Sequence, residues 1–254
     1  MVLLEVKNIS KRFGGLQAVK NVSFSVESGM VKAVIGPNGA GKTTLFNLVS
    51  GFLLPDGGAI TFKGEAIHGR PPYQIAARGI TRTFQQVRLF SHMTALENVM
   101  VGCHVQSRAG FFAGMLHLPW TRQEENEIRN RSVDLMDSLG IAFLAGAEAT
   151  SLSYGQQRAV ELARALAAEP AMLLLDEPAA GLNIRETADI ARLILKVRDR
   201  GVTVLVVEHD MSLVMDITDE IVVLSYGEKI ADGRPGSIQK NADVIRVYLG
   251  EDDA

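Results

Sequence analysis

The chain has 254 residues, 47% of them hydrophobic and 22% charged, with a formal net charge of −3. That composition supports one large domain or two small ones and excludes disorder. No uncharged stretch exceeds 13 residues (43–55 and 109–121), too short for the roughly 20 apolar residues of a membrane helix, and a net negative charge gives no general attraction to nucleic acid.

One cysteine, Cys103, excludes an internal disulfide and suits a reducing compartment. The opening segment, MVLLEVKNISKRF, lacks the basic-then-apolar order of a secretory signal. An intracellular chain of mixed structure is expected. Leu3 to Asn8 and Val22 to Val26 read as strands at period 2. The Glu27-Ser28-Gly29 turn leads into an apolar run, Val31 to Ile35, and then a Gly-rich loop. Thr43 to Phe52 has helical periodicity, with Pro55 and Gly57-Gly58 as stop signals. Ala59 to Lys63 and Ile80 to Phe84 read as further strands.

From about Val87 to Leu166 the β-branched runs thin out. Thr94 to Val105, Arg122 to Leu139 and Gly155 to Ala168 read as helices. An apolar, Gly-containing insert, Ala109 to Trp120, lies between the first two. Ala171 to Leu175 and Val202 to Val207 are continuous apolar runs, as in parallel strands buried on both faces. The helix Arg185 to Arg200 separates them. This alternation predicts an α/β fold with a parallel sheet and right-handed crossovers.

Gly36-Pro37-Asn38-Gly39-Ala40-Gly41-Lys42-Thr43 matches G-x-x-x-x-G-K-[ST], after a buried strand and at a helix start. Glycines let the backbone wrap a phosphate closely. Successive N–H groups and the helix N-terminus form an anion cradle. Lys42 suits the β- and γ-phosphates, and the Thr43 hydroxyl suits Mg²⁺.

Met172 to Leu175 ends in Asp176-Glu177. Ligands of open α/β sheets bind beyond the carboxyl ends of strands. An Asp there suits Mg²⁺ through water, and the adjacent Glu suits polarising a water for in-line attack. Leu152-Ser153-Tyr154-Gly155-Gln156 precedes a helix and forms a second candidate anion turn. Ser153 in that setting is also an ordinary helix cap.

The order of five features then carries a resemblance: the Gly36–Thr43 loop, Gln85, the Leu152–Gln156 turn, Asp176-Glu177 and His209 after an apolar strand. The chain resembles, along essentially its whole length, the nucleotide-binding subunit of an ATP-binding cassette (ABC) transporter. That resemblance implies a P-loop NTPase fold: an ABC-type ATPase core with a parallel sheet, an N-terminal antiparallel β region and an inserted helical subdomain. It implies a single nucleotide-binding domain over 1–254, with the core at 1–86 and 165–254. The helical subdomain, 87–164, carries the signature turn.

The resemblance also implies roles. Phe13 matches the aromatic that stacks on adenine, where the family usually has Tyr; a core Phe beside Gly14-Gly15 is the competing reading. Gln85, beside Gln86, matches the glutamine that senses Mg²⁺ and the attacking water. Glu177 matches the catalytic glutamate and His209 the histidine on the γ-phosphate. Thr44 joins the phosphate-loop residues as a nucleotide contact. Leu152 to Gln156 resembles the LSGGQ signature with Tyr154 in place of the first Gly. Ser153, Gly155 and Gln156 are there expected to face the ATP of a second subunit. Asn183 stands where the family usually has Asp.

A finer resemblance narrows the class. Arg82-Thr83-Phe84-Gln85, Val87-Arg88-Leu89-Phe90, the Ala109–Trp120 insert, LSYGQQR (152–158), Glu208-His209-Asp210-Met211 and the tail Asp243 to Gly250 look like the LivG-type subunits of branched-chain amino acid importers. The implied cofactors are ATP and Mg²⁺. The implied partners are a second ATPase subunit (or a second copy), two transmembrane permease subunits and, indirectly, an external substrate-binding protein, with no nucleic acid. The implied place is the cytoplasmic face of a bacterial-type membrane. Urea or amide importers, lipopolysaccharide exporters and a soluble ABC-type ATPase acting on nucleic acid or ribosomes are the alternatives.

Overall fold

A computed structural model describes residues 1–103 and 119–249. Positions 109–118 of the Ala109–Trp120 insert lie outside the described residues, as do His104, His117 and Gly250.

The chain opens with two long strands, β1 (Val2–Phe13) and β2 (Leu16–Glu27). They pair antiparallel, and β1 also pairs with β4 (Gly57–Phe62), which pairs with the short β5 (Glu65–Ala66). The result is a four-stranded sheet ordered β2-β1-β4-β5. Both long strands exceed the expected Leu3–Asn8 and Val22–Val26. Backbone pairing continues through polar residues, as at Lys11↔Val19 and Arg12↔Gln17. An antiparallel ladder does not require each residue to be apolar, so the apolar signal ends before the strand does.

The central sheet has six strands in the order β10-β9-β3-β8-β7-β6. Its members are β3 (Val31–Ile35), β6 (Ile80–Arg82), β7 (Met172–Asp176), β8 (Thr203–Val207), β9 (Glu220–Ser225) and β10 (Glu228–Gly233). Neighbours run parallel except β10 against β9. Each residue of β3, β7 and β8 is buried, because both faces are covered. Alternate side chains divide between two cores. Val34, Leu174, Leu205 and Val222 pack with the antiparallel sheet and α1 (Lys42–Val49). Ala33, Ile35, Leu173, Leu175, Val204 and Val223 pack into a helical layer.

That layer includes α3 (Ala95–Cys103), α4 (Pro119–Leu139), α5 (Tyr154–Leu166), α6 (Ile184–Asp199) and α7 (Met211–Ile217). A short α2 (Pro72–Ala77) precedes β6, and α8 (Pro235–Ile238) and α9 (Ala242–Leu249) end the described chain. No helix among the described residues is long and apolar enough to cross a membrane.

Helix α1 stops earlier than the Pro55 and Gly57-Gly58 signals predict. Gly51 takes φ +77, and a Cβ there would meet the Arg70 carbonyl oxygen at 2.5 Å. A left-handed glycine one turn earlier is thus the terminator. The β9–β10 hairpin and α2 gave no recognised signal in the sequence.

Candidate functional site at the sheet edge

Parallel pairing brings four strand ends to one edge. Val34 of β3 and Asp176 of β7 both register with Val207 of β8, and Arg82 of β6 registers with Leu174 of β7. Gly36, Thr83 to Gln85, Glu177 and Glu208-His209 therefore leave the sheet on the same side. The Thr83 N–H extends the ladder to the Leu174 carbonyl at 2.9 Å, and the Glu177 N–H reaches the Val207 carbonyl at 2.9 Å.

Beyond β3 the chain wraps into the glycine loop. Gly36 takes φ +151, and a Cβ there would lie 2.2 Å from the Leu224 carbonyl oxygen. No side chain caps the start of α1, which leaves the first N–H groups of the helix without a side-chain acceptor. The Lys42 ammonium folds back onto the carbonyls of Gly36 (2.6 Å) and Pro37 (3.0 Å). Burial pushes its pKa down, and the negative charge of Glu177 opposes that shift. A polyphosphate arriving in the cradle would add to the counter-charge that Glu177 supplies.

A cleft of about 650 Å³ opens over the loop. Phe13, Asn38, Gly39, Ala40, Gly41, Lys42, Thr43, Thr44 and Glu177 line it. Phe13 is 45% exposed and so is not the core residue of the competing reading. Its ring lies 5.7 Å from the Lys11 ammonium. Tyr226 also lines the cleft, from a β9–β10 turn whose Gly227 N–H donates to the Ala40 carbonyl at 3.1 Å. Nothing local in the sequence marked Tyr226.

Of the two adjacent glutamines, Gln85 reaches the acidic strand end. Its Nε2 donates to Glu177 Oε2 at 2.8 Å. Glu177 itself sits at φ +48, a conformation that strains a residue with a side chain and recurs at functional sites. Asp176 lies deeper, 6% exposed. Arg82 donates to its Oδ2 at 2.7 Å, and also to Asn47 Oδ1 and Ser50 Oγ of the α1 segment at 2.7 Å each. The rings of Phe46, Phe52 and Phe84 surround the Arg82 guanidinium. Nothing in the sequence assigns Arg82 a role, although it opens the segment Arg82-Thr83-Phe84-Gln85 of the finer resemblance.

This pair makes a stability prediction. Arg82→Ala leaves the Asp176 carboxylate buried without its partner, a change that typically costs about 3–5 kcal/mol. Denaturant unfolding should show that loss, with partial recovery when Asp176→Asn is added. A change below about 1 kcal/mol, the size of an exposed pair, would refute it.

His209 follows β8 with its side chain 60% exposed. The preceding Glu208 is fully buried. It accepts from the N–H groups of Ala179 (2.8 Å), His209 (3.0 Å) and Asp210 (3.4 Å). Burial pushes its pKa up, against the pull of those amides. Glu208 therefore ties the segment after Glu177 to the segment carrying His209.

Ser153, Gly155 and Gln156 are not brought to this cleft. They line a second one, of about 570 Å³, together with Asn183 and Glu186. Ser153 caps α5: its Oγ accepts from the Gln156 N–H at 3.3 Å, and Gln156 Oε1 accepts from the Ser153 N–H at 2.9 Å. Asn183 caps α6 in the same reciprocal way with Glu186. Asn and Asp cap helices about equally well, so the Asn183 departure leaves this turn intact.

The profile of the family described as ABC transporter matches residues 19–180. A second, described as branched-chain amino acid ATP-binding cassette transporter, matches 228–254. The chain is 48% identical over 250 residues to the high-affinity branched-chain amino acid transport ATP-binding protein BraF of Pseudomonas aeruginosa, covering 98% of each. Among solved structures it is similar to an ATP-binding cassette of an ABC transporter in its ADP conformation. The TM-score is 0.86 at 34% identity, covering 99% of this chain and 100% of that one. It is also similar to a dimeric cassette in a post-hydrolysis state bound to ADP and Pi, with a TM-score of 0.75 at 26% identity, over 92% of this chain and 99% of that one. Sequence and fold agree along nearly the full length, and the chain belongs to the ABC transporter family as one of its nucleotide-binding ATPases.

Proposed function

We propose that this ATPase energises the uptake of branched-chain amino acids, working at the cytoplasmic face of the membrane. Two cassettes would sandwich ATP, this chain pairing with a second ATPase subunit or with a second copy of itself. The pair would drive two permease subunits that receive substrate from an external binding protein. The observation that carries the substrate class is the match of residues 228–254, continuous with a full-length relative of that transport class.

In this reading the adenine stacks on Phe13, and the backbone from Gly36 to Thr44 wraps the phosphates. Lys42 leaves its carbonyl partners for the β- and γ-oxygens. Glu177 then orients and deprotonates the attacking water, and Gln85 holds the Glu177 carboxylate in place. His209 contacts the γ-phosphate. Ser153, Gly155 and Gln156 supply donors to the nucleotide of the other subunit, since they line a cleft apart from their own phosphate loop. A second donor turn adds charge stabilisation and excludes water from the far side of the γ-phosphate.

Thr43, Gln85 and Asp176 would hold Mg²⁺, with Asp176 acting through water. The set fits a hard cation, because it is a hydroxyl, an amide oxygen and a carboxylate, and Arg82 engages Oδ2 of that carboxylate. When bound, the ion neutralises charge on the β- and γ-phosphate oxygens.

The test is recovery of the chain from detergent-solubilised membranes. Two permease proteins and a second ATPase should accompany it. In proteoliposomes, the ATPase should rise when the binding protein carries leucine, isoleucine or valine. Stimulation by a urea- or amide-loaded binding protein instead would overturn the substrate assignment.

A further inference from the structure

Arg158 of α5 is 3% exposed, on a helix whose buried face is otherwise largely apolar. Its NH1 donates to the Phe84 carbonyl at 2.7 Å. Its NH2 donates to the Gln85 carbonyl and, at 3.1 Å, to the Tyr154 hydroxyl. The guanidinium carbon also lies 5.4 Å from the Tyr154 ring centroid. One turn on, Glu161 accepts from Arg158 NH1 at 3.2 Å and from the Arg88 N–H at 3.4 Å. The segment from Phe84 to Arg88 is thus clamped to α5 at three backbone points.

The two ends of this clamp face different chemistry. Tyr154 lies in the signature turn, one helical turn before Arg158 and on the same face. A Cβ on Gly181, in the segment after Glu177, would lie 3.4 Å from the Tyr154 ring. At the other end, the Gln85 side chain holds Glu177 at 2.8 Å. We propose that Arg158 is a positioning residue that couples the signature turn to Gln85 of the same chain, with Tyr154 as its anchor. This rests on the ATP-sandwich reading above. A nucleotide of the partner subunit, engaged at the turn, shifts the start of α5. The guanidinium fork then carries the Gln85 backbone, and with it the amide on Glu177. A fork that takes two carbonyls at once needs arginine, since a lysine ammonium offers a point charge on a flexible stem.

The experiment uses the purified full-length chain, mixed with the second ATPase subunit where the chain alone shows no turnover. Arg158→Lys keeps a cation beside Glu161 and loses the fork. ATP affinity, read by calorimetry, should stay within about twofold, whereas kcat should fall about tenfold to 10²-fold, as for a displaced catalytic group. Tyr154→Phe removes only the hydroxyl; it should lower kcat about threefold alone and leave it unchanged in the Arg158→Lys background, as two members of one network do. Should Arg158→Lys not fold, Tyr154→Phe carries the test, because it deletes a single oxygen at an exposed residue. Unchanged kcat in the variants, an additive pair, or a fall in kcat matched by an equal loss of ATP affinity would each overturn the coupling. Unsubstituted chain that hydrolyses ATP while remaining a monomer at every concentration would instead overturn the sandwich reading, and the coupling with it.

Discussion

Replacing Glu177 by Gln is expected to stop ATP turnover while leaving ATP bound. The substitution keeps the size of the side chain and its ability to meet Gln85, which now donates to the carboxylate at 2.8 Å. It also keeps the backbone at φ +48 about as accessible as before, since the two residues share the same Cβ constraints. What it removes is the base. Loss of general-base catalysis lowers rates about 10²- to 10⁴-fold, so kcat should fall into that range. Affinity should move the other way or not at all. Glu177 is a negative charge lining the same cleft as the phosphate loop, and it repels the polyphosphate that Lys42 attracts. Single-turnover hydrolysis and the nucleotide-dependent elution volume report the two halves of the claim. The variant should elute as an ATP-dependent dimer that persists, because the step that separates the subunits no longer occurs. Steady-state hydrolysis within about threefold of the unsubstituted chain, well short of that range, would remove Glu177 from its assigned role.

The parts of this site that could be read from the sequence share a property: their physics is local. A phosphate cradle needs glycine at set spacings, so Gly36 to Thr43 announced itself. Carboxylates after an apolar strand stand at the ligand end of a parallel sheet, which marks Asp176 and Glu177. The resemblance added Gln85, Phe13 and His209, whose types alone say little. The roles of three further polar side chains are not legible in the sequence. Arg82, Arg158 and Glu208 act through partners 94, 74 and 29 residues away, and no window of sequence contains both ends of such a contact. A weak sign existed for Arg158 and Glu161: opposite charges three apart within a helix of mostly buried residues. Asn183 shows the converse. Against the family pattern it looked like a lost charge, whereas its side chain caps α6 as an aspartate would. The long antiparallel strands outrun their apolar signal for another reason. Their ends are held by backbone pairing through Lys11 and Arg12, which hydrophobic periodicity does not detect.

Lys42→Ala should separate the stability of the chain from its hold on nucleotide. In the folded protein the Lys42 ammonium is bound to two carbonyls of its own loop, at 2.6 and 3.0 Å, and its pKa is pushed down by burial. Deleting it forfeits those two bonds but also relieves the desolvation of a charged group, so the two effects largely offset. The unliganded variant should therefore melt within a few degrees of the parent, the shift expected of about 1 kcal/mol in a domain of this size. Phosphate binding has no such compensation. A charge-assisted contact removed from one side costs about 2–5 kcal/mol, which corresponds to a Kd for ATP raised about 30-fold or more. The difference appears most clearly as linkage. A ligand at about 100 times its Kd stabilises the folded state by about 2.7 kcal/mol. At the same ATP concentration the variant would be only partly occupied and would lose most of that gain. Thermal melts with and without ATP measure both quantities in one titration. A variant that keeps the full ATP-induced rise in melting temperature would show that the backbone cradle alone holds the phosphates. One that melts far lower without ATP would show Lys42 to be chiefly a brace for the Gly36–Pro37 carbonyls.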